Sequence, residues 1–333
     1  SNLENLYSTI NLSDSFKKLF QIMIQQFQSK KKIIQAIVNF GIDHNAMQPQ
    51  QDVVPQLLID HFISMTDPNL ALTIDIEMTY HCAFSLPAVA LTLGSNNWHL
   101  LKNTVDCLAG DMQYKVRRTV ASGLHELALI LGPEMATNNL TPLFDGFLKD
   151  LDEVRIGWNW RFRQELAKQL LLAVTLFKAP ETAKHIGVIA RDLLCDKVAA
   201  VRQVSLSLVT EIVRYTSTEP GLTASLLVKL AECFAHSKKW KRRQTFALLC
   251  SELLKEHALS PEQFASEVLP HLLDLSWDPV ANVRLVVAKC LAQHVVTNEY
   301  FSSPNNEHYD VLEKVLRRLQ ADKDKDVRQF AEA

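Results

Sequence analysis

"DPVANVR", Asp278 to Arg284, is one of four phrases in this chain that share one spacing: an aspartate, five intervening positions, and an arginine that follows a valine. The others are "DMQYKVR" (Asp111 to Arg117), "DKVAAVR" (Asp196 to Arg202) and "DKDKDVR" (Asp322 to Arg328). Looser copies, with other polar residues at the first position, end at Arg155 ("KDLDEVR"), Arg163 ("GWNWRFR") and Arg243 ("SKKWKRR"). Successive arginines then lie 38, 8, 39, 41, 41 and 44 residues apart. Apart from the 8, the chain has a period of about 40 residues, which accommodates two helices and two short connections.

The pattern around each phrase specifies what fills the period. After Asp111, the apolar residues Val116, Val120, Leu124, Leu127 and Leu131 recur at steps of three and four, on one face of a helix about five turns long. Before each phrase lies another amphipathic segment, such as residues 138–151 or 260–275, the latter opening with Ser260, Pro261 and Gln263 in the pattern of a capping box with a first-turn proline. A helix pair of this length cannot bury its apolar stripe alone, so neighbours stack. The expectation is an all-α chain: an α-solenoid of antiparallel helix pairs of HEAT type.

The turn residues take a structural role in such a stack. The aspartates (Asp111, Asp196, Asp278, Asp322) cap backbone amides ahead of the second helix of each pair. The arginines (Arg117, Arg155, Arg163, Arg202, Arg243, Arg284, Arg328) reach the acidic turn of the adjacent repeat and form a ladder that holds register. As exposed pairs, they are expected to contribute about 0–1 kcal/mol each.

Composition agrees. The 333 residues are 47% hydrophobic and 22% charged with a net charge of -2, and only 9 glycines and 12 prolines are available for turns. Apolar runs such as residues 170–177 fall far short of the roughly 20 residues that span a bilayer. The six cysteines (Cys82, Cys107, Cys195, Cys233, Cys250, Cys290) are dispersed, and read as buried small hydrophobes in a reducing compartment. A cytoplasmic and nuclear location is expected. The chain is expected to be an excised piece of a longer protein.

Chemistry is hard to find. No glycine-rich phosphate loop or nucleophile elbow occurs, and "HELAL" at 125–129 lacks the second histidine of a zinc helix, so His125 reads as a helix-face residue. No metal, cofactor or catalytic residue is expected, and the chain reads as non-enzymatic. The strongest local charge is "KKWKRR", Lys238 to Arg243. It is either a solvated turn whose tryptophan packs between repeats or a docking point for an acidic protein. The near-neutral total charge argues against nucleic acid.

Longer words carry a resemblance. "QDVVPQLLIDHFISMTDP" (51–68), "HCAFSLPAVALTLG" (81–94), "KVRRTVASGLHELALILG" (115–132), "FDGFLKDLDEVRIG" (144–157), "NWRFRQELAKQL" (159–170) and "VLPHLLDLSWDPVANVR" (268–284) together resemble the HEAT-repeat regulatory subunit 1 family of serine/threonine protein phosphatase 4. The likeness spans residues 50–330 and implies a non-catalytic subunit. Its partner would be the catalytic subunit of a phosphatase 2A-like enzyme, and it would help to select phosphoprotein substrates. By analogy with related scaffolds, docking would use the ridge of intra-repeat turns, which here holds Lys239, Trp240, Arg242, Trp277, Asp278 and Asn282. A transport adaptor of the karyopherin kind is the alternative for the same fold.

Two features stand outside the period. Residues 1–48 read as a separate helical segment with a polar linker ahead of a solenoid over 49–333. The 8-residue interval between Arg155 and Arg163 leaves no room for a helix pair, so about thirty residues are expected to be absent near Gly157 and Trp158. Either one helix then runs over about 153–177, or the two residues lie farther apart than a peptide bond permits.

Overall fold

The computed structural model describes residues 56–67, 77–144, 146 and 160–332. Residues 1–48, the linker, Arg155 and the junction at Gly157 and Trp158 lie outside the described residues. Those described divide into two compact units, one ending at Ile130 and one starting at Leu131. All regular structure among the described residues is helical.

The first unit contains α1 (Gln56–Ser64), α2 (Met78–Leu93), α3 (Lys102–Ala109) and nearly all of α4 (Tyr114–Leu131). α2 ends at Gly94, whose φ of 77° lies in the left-handed region that only glycine enters without strain. Its amide closes the helix on the carbonyl of Ala90, and the chain turns into a 3-10 segment over Ser95–Leu100. The stripe Val116, Val120, Leu124, Leu127 and Leu131 of α4 is buried throughout. Gly123 lies over Pro87 of α2, where an added Cβ would come within 3.0 Å of the proline ring, so the close approach of these helices depends on the missing side chain.

The second unit repeats one motif. Its longer described α-helices are α5 (Pro133–Leu140), α6 (Trp160–Ala173), α7 (Gly187–Leu194), α8 (Ala199–Thr216), α9 (Pro220–Leu230), α10 (Trp240–Lys255), α11 (Pro261–Glu267), α12 (Leu269–Leu275), α13 (Ala281–Cys290), α14 (Tyr309–Gln320) and α15 (Lys325–Ala331). π-helical turns precede α7 and follow α9 and α13. The second helices of successive pairs, α6, α8, α10, α13 and α15, lie side by side, and each of the last four also packs against the helix or π turn that precedes it in its own pair. Such a helix is buried on more than one face. α8, for example, buries Val201, Ser205, Leu206, Leu208, Val209, Ile212, Val213 and Thr216, and each large aliphatic among them contributes about 1.5–3 kcal/mol by leaving water.

Local deviations have local causes. The segment 260–275 opens with the capping box, in which Ser260 Oγ accepts the amide of Gln263 and the Gln263 side chain accepts the amide of Ser260. It then breaks at Val268 (φ -120°, ψ -45°) into α11 and α12. Pro270 is responsible: it has no N–H to give Ser266, and its ring crowds that carbonyl. The helix expected over 153–177 is described from Trp160 and is α-helical only to Ala173. A 3-10 turn over Val174–Leu176 follows, then extended backbone at Phe177. There the chain turns into the next pair, held by the Lys178 amide donating to Thr137 Oγ1. Of the cysteines, Cys82, Cys250 and Cys290 are buried, but Cys107 is exposed, a correction to the uniform burial expected. Burial pushes the thiols of Cys82 and Cys290 up to about 12, so both stay protonated and inert at neutral pH.

Candidate functional site: the ridge of turns

Four of the turns ahead of a second helix are built the same way. The aspartate accepts the amide two residues on: Gln113 N to Asp111 at 2.7 Å, Val198 N to Asp196 at 2.8 Å, Val280 N to Asp278 at 2.9 Å, and Asp324 N to Asp322 at 2.9 Å. These are the bonds that short acceptor side chains make to their own backbone in turns. The arginine six residues on returns to the same turn. Nη1 of Arg117, Arg202, Arg284 and Arg328 donates to the carbonyl of Asp111, Asp196, Asp278 and Asp322, and Arg243 does likewise to Ser237.

The other edge of the guanidinium crosses to the next repeat. Arg163 Nε and Nη2 bind the two carboxylate oxygens of Asp196 at 2.5 and 3.1 Å. Arg243 binds Asp278 at 2.5 and 3.0 Å, and Arg284 binds Asp322 at 2.7 and 2.9 Å. One planar fork thus clips its own turn and the neighbouring turn at once, which a lysine could not do. The side chains are well inside: Asp196 and Asp278 are 4% and 2% exposed, and their arginine partners 8% and 15%. This corrects the expectation of exposed, nearly worthless pairs, because removing one partner of a buried pair strands the other. The electrostatics agree. Hydrogen bonding to Asp278 and to Asp322 raises the pKa of Arg243 and Arg284, and the Arg284 bond holds the Asp322 carboxyl below its usual range.

The ladder decides which turn residues remain for a partner. Asp278, expected both on the docking ridge and in the ladder, is buried with both oxygens engaged by Arg243 and the amide of Val280. Lys239 and Asn282 are exposed, and Trp240 and Arg242 are half-buried. Lys241 Nζ lies 5.8 Å from the Trp240 ring centroid, so the indole face is already shared with a cation. Trp277 is 73% exposed, the most open aromatic side chain among the exposed large hydrophobics described. It is held rigid by Arg318 of α14, whose guanidinium stacks 3.5 Å from the ring centroid while Nη2 donates to the carbonyl and hydroxyl of Ser276. Arg318 comes from 41 residues downstream, so nothing in the local sequence at Trp277 signals it. The ridge of the second unit therefore presents two turns, 237–242 and 276–282, with aromatic faces set among basic groups. No group of residues that could hold a metal occurs among the described residues, and no described helix is long and apolar enough to cross a membrane.

Beside the turn at 237–242, His236 Nε2 and His271 Nδ1 lie 3.2 Å apart with their rings edge to face. Burial, and then the neighbouring His236, lower the pKa of His271, against an opposite pull from Asp274 and Glu267. His294 is lowered in the same direction, by burial and then by Lys255 and Lys289. A histidine with a lowered folded-state pKa binds fewer protons folded than unfolded. Stability is therefore full above the ordinary imidazole value of about 6.5 and is lost as pH falls from there through the folded value. The thermal midpoint is expected to drop between pH 7 and pH 5.5, and the drop to be shallower in His271→Asn; an equal slope in both proteins would remove His271 from the account.

The chain matches two family descriptions: "Protein phosphatase 4 regulatory subunit 1 middle domain" over residues 82–159 and "HEAT repeat" over residues 268–293. It is 42% identical over 327 aligned residues to "Serine/threonine-protein phosphatase 4 regulatory subunit 1" of Mus musculus, an alignment covering 88% of this chain and 34% of that protein. The Homo sapiens protein of that name is 42% identical over 328 residues, with the same coverage. The chain thus spans about a third of the length of the curated relatives it matches. Among solved structures, a designed armadillo repeat protein in complex with a (KR)4 peptide matches with a TM-score of 0.35 and 18% identity, covering 70% of this chain and 96% of that one.

Proposed function

We propose that this chain, a relative of regulatory subunit 1 of serine/threonine-protein phosphatase 4, acts as a non-catalytic subunit. On this reading it binds the catalytic subunit of a phosphatase 2A-like enzyme and helps to present phosphoprotein substrates to it. The observation that carries the reading is the 42% identity over 88% of the chain to proteins bearing that name. The structure supports it in a narrower way. The ladder consumes the carboxylates of the turns internally, which leaves Lys239, Trp240, Arg242, Trp277 and Asn282 as the outward chemistry of the second unit's ridge. Rigid aromatic and arginine side chains of this kind anchor protein interfaces, and their surplus positive charge suits an acidic protein surface. The proposed place of action is the cytoplasm and nucleus, reducing compartments that the six dispersed cysteines suit.

The test is co-precipitation of the purified phosphatase catalytic subunit by this chain and by a Trp240→Ala, Arg242→Glu, Trp277→Ala variant with unchanged helicity by circular dichroism. The parent is expected to retain the subunit and the variant to lose at least about tenfold in affinity, as removal of interface anchors costs. Full retention by the folded variant would take the ridge out of the interface. Failure of the parent to retain the subunit would leave a scaffold for some other partner.

A further inference from the structure

The ladder of the second unit has one step missing. Arg202 makes the same two Nη1 bonds to its own turn as the other arginines, to the carbonyls of Asp196 at 2.8 Å and Lys197 at 3.0 Å. Arg243 binds its own turn in this way at Ser237 and Lys238, and its remaining edge, Nε and Nη2, then meets Asp278. The same edge of Arg202 meets no carboxylate among the described residues. The next turn has Ser237 where the other turns have aspartate.

Two observations establish that Ser237 occupies the aspartate's place. α8, α10, α13 and α15 each begin three residues after this position, at Ala199, Trp240, Ala281 and Lys325. The amide two residues on also donates to it: Lys239 N to Ser237 Oγ at 3.3 Å, against Val280 N to Asp278 Oδ1 at 2.9 Å. The hydroxyl fills the turn-capping role but is neutral and one atom too short for a bidentate bridge. Lys238 and Lys239 beside the serine are exposed, and Ser237 itself is half-buried at the rim of the turn.

We propose that Ser237 is a phosphorylation site, and that its phosphate supplies the missing step by accepting the Nε–H and Nη2–H of Arg202. The reaction is ordinary phosphoryl transfer from a nucleoside triphosphate by a protein kinase. The Ser237 Oγ–P bond forms as the bond to the β-phosphate oxygen breaks, the hydroxyl proton passes to the kinase's base, and the nucleoside diphosphate leaves. The product carries close to two negative charges and three acceptor oxygens, which Arg202, Lys238 and Lys239 can balance. Phosphorylation then locks the repeats on either side of the α8–α10 junction into the register the other junctions hold permanently. The mechanism is independent of which partner the solenoid carries.

The test installs phosphoserine at 237 during translation of the whole chain and compares thermal midpoints with the unmodified chain, in the parent and in Arg202→Gln. The midpoint is expected to rise by about 2–4 °C in the parent and to stay within about 1 °C in Arg202→Gln. Arg202→Lys, which keeps the charge but not the fork, covers the case in which the glutamine variant does not fold, and is expected to lose most of the rise. No rise, or an equal rise in every background, would overturn the bridge. Mass spectrometry of the chain expressed in animal cells under phosphatase inhibition is expected to find phosphate on Ser237; an unmodified Ser237 there would overturn its modification.

Discussion

Asp278→Ala is expected to destabilise the second unit by about 3–5 kcal/mol, because it breaks a buried pair by removing one partner. Asp278 is almost wholly inside, and three donors end on its oxygens: Nε and Nη2 of Arg243 and the amide of Val280. The alanine leaves the guanidinium facing a desolvated gap and the turn without its cap. An asparagine side chain would keep the turn bond but not the charge, so Asp278→Asn is expected to fall between alanine and the parent. The measurement is urea unfolding followed by circular dichroism, with a double-mutant cycle against Arg243→Gln. A coupling energy below about 0.5 kcal/mol, the range of independent sites, would mean that the pair does not hold the repeats together.

Phe177→Ala is expected to have a comparable effect, about 3–5 kcal/mol, through a different mechanism. The side chain is fully buried at the turn between α6 and the following pair, and its ring meets that of Phe144 edge to face at 5.4 Å between centroids. Its carbonyl also accepts the hydroxyl of Tyr215 on α8, at 2.8 Å. Truncation opens a cavity where one pair hands over to the next, whereas the Tyr215 bond survives because it uses the backbone. Hydrogen exchange is expected to quicken most at α6 and α8 and least at α13 and α15, since in a solenoid each repeat touches only its neighbours. Uniform acceleration across the unit would indicate a single cooperative block.

The period of about 40 was legible because it is written in charges as well as in apolar residues. An aspartate six residues ahead of an arginine is rare enough to mark four of the turns, and the helical stripe after Asp111 specifies which face is buried. The environment of those charges was not legible. A turn full of lysines and aspartates looks solvated in sequence, and only the side-by-side stacking of second helices, which brings Arg163 to Asp196 over 33 residues and Arg243 to Asp278 over 35, makes the pairs interior. The same stacking buries Asp278, expected both on the ridge and in the ladder, against its ladder partner Arg243. Long-range partners were invisible for a similar reason: nothing near Trp277 announces Arg318, and nothing in "VLPHLL" weighs Pro270 against an otherwise continuous amphipathic pattern.

We propose that the ladder leaves one ridge of turns free to carry a phosphatase catalytic subunit. Hydrogen–deuterium exchange of the chain alone and with the purified catalytic subunit tests it most directly. The account predicts slowed exchange in the amides of residues 237–242 and 276–282 on binding, with the opposite ends of the same helices unchanged. Protection confined to those opposite ends, with both turns unaffected, would contradict it.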